Sequence, residues 1–176
     1  MATTDADRYD RVAIALHWLV AALVIINLVL GLFHESLFDA RQVIPLHKSI
    51  GMTVLLLSIA RVVWRLGHRA PALPAQMPGW EKASAHATHL ALYGLILLLP
   101  LTGWMMSSNP ERPRPVGWFG LFDFPVLPIN EALAGFGHEA HEILGFAMLA
   151  LVVLHIAAAL RHQFILRDRV LSRMAR

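Results

Sequence analysis

Four long apolar stretches alternate with short polar or proline-broken ones along this chain. Residues 12 to 33, 44 to 66, 84 to 106 and 138 to 164 are each long enough, as helices rising about 1.5 Å per residue, to cross about 30 Å of hydrocarbon. Residues 69 to 80 (RAPALPAQMPGW) form a proline-rich linker. Residues 107 to 137 hold NPERPRP and GWFGLFDFPVLPIN, aromatic but too interrupted by proline to span. This outer loop is expected on the membrane surface, with Trp118 and Phe119 at interface depth. The pattern predicts an all-α, integral membrane four-helix bundle, with residues 1–176 as a single membrane domain. The first stretch is expected to stay as a helix rather than act as a cleaved signal. Its apolar run is too long, it lacks a small-residue cleavage site, and it follows the acidic leader DADRYDR.

Composition sharpens this picture. With 57% hydrophobic and 15% charged residues and a mean hydropathy of +0.56, there is too little polar surface to cover a soluble domain. The chain has no cysteine, which excludes disulfides, thiolate metal sites, covalent haem attachment and cysteine-held iron–sulfur clusters. Neither a nucleic-acid motif nor a phosphate-cradling glycine loop is present, so the pI near 10.0 concerns the bilayer. The termini and the 61–82 segment carry eleven Lys and Arg (Arg8, Arg11, Arg61, Arg65, Arg69, Lys82, Arg161, Arg167, Arg169, Arg173, Arg176). The opposite side carries four (Arg41, Lys48, Arg112, Arg114). The positive-inside rule then predicts that both termini are cytoplasmic.

The chemistry lies in histidines within the apolar stretches, where an ionisable side chain is costly enough to imply a function. His141 and His155 are fourteen residues apart, which sets them on nearly one helix face and about 21 Å apart along the axis. His47 stands at the outer start of the second stretch and His17 just inside the start of the first. Depth alone therefore pairs His47 with His141 and His17 with His155. Two imidazoles from facing helices, at each of two depths, are what two six-coordinate haems require. At i+4 from these histidines come Ala21, Gly51, Gly145 and Ala159, small residues that leave a gap for a porphyrin edge. Histidines bonding between helices would be the simpler explanation for one such residue, but it does not account for four matched in depth, face and small neighbour. Ligands so far apart on one helix cannot share a zinc or copper ion, and HEAH at 138–141 lacks the HExxH spacing of a zinc protease.

These same stretches, RVAIALHWLVA, LHKSIGMTVLLLSIARVVWR, AHATHLALYGLILLLPLTGWMMSS and HEAHEILGFAMLALVVLHIAAALRHQFILRDRVLSRM, resemble the bacterial cytochrome b561 family of dihaem membrane proteins. The resemblance runs over nearly the whole chain. It implies a four-helix bundle in the bacterial cytoplasmic (inner) membrane, with two non-covalent haem b groups per chain held by His17, His47, His141 and His155. It also implies quinone chemistry, and in some members the oxidation of superoxide with transfer of electrons to ubiquinone. The expected function is thus electron movement across the membrane from periplasmic superoxide to ubiquinone. Two alternatives stand beside it: a carrier between the quinone pool and a periplasmic redox protein, and a haem-free, histidine-lined metal or proton transporter.

Further residues attach to this scheme. Arg61, fourteen residues after His47, faces the bundle at the inner level. A haem propionate or the cytoplasmic interface would satisfy it. His162, seven residues past His155, could bond a quinone carbonyl and supply protons, and His89 at the start of the third stretch could reach an inner propionate or line the quinone pocket. Lys48, Arg112 and Arg114 form a basic patch able to steer an anion such as superoxide, on a side whose formal net charge is otherwise negative.

Overall fold

The computed structural model describes residues 8–34, 36, 37, 39–68, 70–74, 76–168 and 170–174. Of the charges counted above, Arg69, Arg169 and Arg176 lie outside the described residues. Four helices form: α1 (Arg11–Leu32), α2 (Ala40–Gly67), α3 (Gly79–Ser107) and α4 (Glu131–Arg161). All four are long and apolar enough to cross a membrane. Each begins ahead of the apolar stretch that announced it, and at α1, α2 and α4 a polar cap marks the start. The side chains of Asp10, Asp39 and Asn130 accept from Ala13 N, Arg41 N and Leu133 N at the starts of α1, α2 and α4, satisfying donors that a first helical turn leaves open.

The helices pack most closely as chain neighbours: α1 on α2, α2 on α3, and α3 on α4. In the last interface Gly137 is buried, and a Cβ there would lie 2.7 Å from Met105 Cβ and 3.1 Å from Thr102 O. Only a glycine permits that approach. Leu95, Ile96 and Met148 form the buried apolar centre between α3 and α4. Much of the remaining apolar surface is open, with Leu90, Ile143 and Val63 more than half exposed. In water such a surface would drive association; in a bilayer it meets lipid.

The outer loop is more ordered than the sequence pattern suggests. It contains an antiparallel hairpin, β1 (Val116–Trp118) and β2 (Phe122–Phe124), before α4 begins seven residues ahead of the predicted 138. Phe119 (φ 50°) and Gly120 (φ 74°) are both left-handed, and Leu121 N donates to Trp118 O over 2.9 Å, the geometry of a primed hairpin turn. Val116 is buried against Met52 and Leu55. Trp118 Nε1 donates to Thr53 Oγ1 (3.0 Å), while Ser49 Oγ accepts from Phe119 N (3.1 Å) and donates to Gly117 O (2.9 Å). The hairpin is thereby fastened onto α2.

At the other end α4 continues as a π-helical turn (His162–Leu166), reverses at Arg167 (φ 53°, ψ 34°) and finishes in a 3₁₀ turn (Leu171–Met174). This segment folds back across the bundle. Met174 O accepts from Trp18 Nε1 (2.7 Å), and Arg173 reaches Ala72 O.

Candidate functional site

The four interior histidines meet as two pairs. His47 and His141 have ring centres 6.0 Å apart with planes at 88°. His17 and His155 are 6.3 Å apart at 76°. The pairs bridge α4 to α2 and to α1, across the bundle rather than between the closely packed chain neighbours. One pair lies toward the hairpin end and the other toward the end carrying both termini.

Hydrogen bonds orient the outer pair. His47 Nδ1 lies 3.1 Å from Asn27 O. His141 Nδ1 lies 2.9 Å from Leu99 O and 3.3 Å from Thr102 Oγ1, whose own proton goes to the Leu98 and Leu99 carbonyls. A nitrogen held against a carbonyl oxygen must carry the hydrogen, so in both rings Nε2 keeps its lone pair for a metal. Backbone supports the rings as well. A Cβ on Gly31 would stand 2.8 Å from His47 Cε1, and one on Gly103 would stand 3.0 Å from His141 Cε1. Both glycines escaped the reading of the sequence.

The arrangement fits haem. An iron between two imidazoles, with bonds of about 2 Å and ring nitrogens about 1.1 Å from their ring centres, sets those centres about 6 Å apart. A Cβ on Gly145 would meet nothing within 4 Å, and one on Gly51 only Asn27 Nδ2 at 3.5 Å, so of the four gaps expected for a porphyrin edge the one at Gly145 is open and the one at Gly51 is bordered by the Asn27 side chain. In the inner pair, His17 Nδ1 is buried without a hydrogen-bond partner, so no carbonyl fixes that ring as Asn27 and Leu99 fix the outer ones. Among the described residues no three His, Asp or Glu side chains converge as a metal cluster.

The family model for prokaryotic cytochrome b561 matches residues 8–176. This chain belongs to the prokaryotic cytochrome b561 family. It is 35% identical to cytochrome b561 homolog 2 of Escherichia coli (strain K12) over 98% of this chain and 93% of that one. It is 31% identical to cytochrome b562 of Cereibacter sphaeroides over 98% of each chain, and 29% identical to the probable superoxide oxidase CybB of Yersinia pestis over 95% of each. The protein is therefore a multi-pass membrane electron carrier of the b-haem class, and the haem-free transporter reading falls away.

Around the inner pair the cytochrome gathers further groups. The exposed His89 has its ring centre 5.5 Å from that of His155. Arg61 lies over the Tyr93 ring at 5.2 Å. Arg61 is half-buried beside a small cavity that Tyr9, Ala13, Trp64, Arg65 and Met174 also line. His162 does not stand free: its Nδ1 lies 2.6 Å from Asp168 Oδ2. That partner was missed because only the left-handed turn at Arg167 brings it back. At the outer end Lys48 Nζ donates to Arg114 O over 2.9 Å, which joins two members of the expected basic patch. Arg112 is exposed on the same loop.

Proposed function

We propose that this cytochrome carries electrons across the bacterial inner membrane from superoxide on the periplasmic side to ubiquinone. Two haem b groups serve this path, one held by His47 and His141 and one by His17 and His155. The observation that carries the reading is the pairing itself: two imidazole pairs at two levels, about 21 Å apart by the rise of α4 between residues 141 and 155. Both termini are cytoplasmic in this scheme, so the hairpin end faces the periplasm.

Haem held by these imidazole pairs would supply reversible one-electron chemistry. The chain's own residues do the rest. Carbonyls of Asn27 and Leu99 hold the outer imidazoles in the ligating tautomer. Gly51 and Gly145 leave room for the macrocycle. Arg61, steadied on Tyr93, offers its charge to a propionate. Lys48, Arg112 and Arg114 draw an anion toward the outer pair. His162, with Asp168 behind its Nδ1, and His89 stand on the cytoplasmic side, where quinone reduction takes up two protons with two electrons.

A radical pulse tests the donor. Superoxide generated around the oxidised, haem-loaded cytochrome is expected to reduce it within the decay of the radical, and added ubiquinone to reoxidise it. Lys48→Gln should slow the first step several-fold at low salt and little at high salt, because exposed charges are screened within about 8 Å at physiological ionic strength. A cytochrome that dithionite reduces and superoxide does not would leave the second reading, a carrier between the quinone pool and a periplasmic redox protein.

A further inference from the structure

Asn27 is a carboxamide in the last third of α1, the most uniformly apolar helix, where burying an unpaired amide is costly. Three observations tie it to the outer histidine pair. Its backbone oxygen takes the Nδ1 hydrogen of His47. Its side-chain Nδ2 is 3.5 Å from the Cβ position of Gly51, one turn beyond His47. Its Oδ1 is buried and has no hydrogen-bond partner. Asn27 also sits one turn before Gly31, whose backbone supports the His47 ring, so the residue reaches the pair by both main chain and side chain. Leucine or valine would fill the same helix position without an orphaned polar atom. The amide is thus kept here at a cost, with its Nδ2 against the gap at Gly51.

We propose that the Asn27 side chain faces the outer haem and sets its reduction potential. The inference rests on the ligand assignment made above. The amide nitrogen, the positive end of the side-chain dipole, is the end turned toward Gly51, the gap left for the macrocycle. A positive dipole end stabilises an added electron, so the wild-type residue raises the potential of the outer haem relative to an apolar side chain. Polar groups around a haem act on its potential in this way, and the effect weakens toward the inner pair, ten residues and about 15 Å away along α1.

An optical redox titration of the haem-loaded protein in proteoliposomes tests this. His141→Ala first identifies the outer wave as the one that disappears. Asn27→Leu is expected to keep both haems, lower the outer midpoint and leave the inner one in place, and Asn27→Gln is expected to recover part of the shift. If Asn27→Leu loses haem through its bulk, Asn27→Ala carries the same expectation without added volume. Two unmoved waves, or two waves displaced together, would overturn the proposal. Failure of His141→Ala to remove either wave would instead refute the ligand assignment beneath it.

Discussion

Replacing His141 by alanine is expected to halve the haem content, from two per chain to one, while the protein still inserts and folds. His47→Ala should do the same, because the two rings face each other at 6.0 Å and neither can hold a six-coordinate iron alone. The inner pair lies far beyond the distance of about 7–10 Å within which substitutions usually interact, so its haem should survive with an unchanged spectrum. His17→Ala and His155→Ala should remove the other haem. Four single variants thus fall into two classes of two, read by pyridine haemochrome per mole of protein and by reduced-minus-oxidised spectra. Any variant that loses both haems, or neither, would break the pairing.

A second large effect is expected where no ligand is touched. Gly31→Ala places a methyl group 2.8 Å from His47 Cε1 and 3.2 Å from its Nδ1, and Gly103→Ala places one 3.0 Å from His141 Cε1. Neither neighbour is the loose end of a flexible chain. Each ring is held by a carbonyl, at 3.1 Å for His47 and 2.9 Å for His141, so it must either break that bond or push its helix outward. Adding a methyl group to packing this tight costs typically about 1–3 kcal/mol. The expected result is low occupancy of the outer haem with the inner haem retained, together with a lower unfolding temperature. Gly145→Ala makes the useful contrast, since no protein atom lies within 4 Å of its new carbon. That variant should crowd the macrocycle and leave the His47 and His141 rings in place, and full outer-haem loading in Gly31→Ala and Gly103→Ala would show that the rings do not rest on these glycines.

These glycines also mark how far the sequence could be read. Fourteen residues is nearly four helical turns, and the spacing that links His141 to His155 recurs on every helix: His17 to Gly31, His47 to Arg61, and His89 to Gly103. Each helix thus shows one residue to the inner level and one to the outer. The pairs of histidines were legible because an imidazole stands out in an apolar run, whereas a glycine there resembles ordinary membrane-helix packing. The hairpin was hidden for a different reason. Its strands are three residues long, prolines flank it, and its turn sets Phe119 in a left-handed conformation that sequence rules reserve for glycine or asparagine. What holds it is tertiary, namely Ser49 and Thr53 on α2. The His162–Asp168 contact likewise depends on a chain reversal at a non-glycine residue, which no periodicity announces.

The central claim, that two imidazole pairs each hold one haem, meets its most direct test in haem and iron counted per chain on purified wild-type protein from haem-replete cells. Two of each per chain is the expected value. A value of one would contradict the two-level arrangement, whatever the electron donor proves to be.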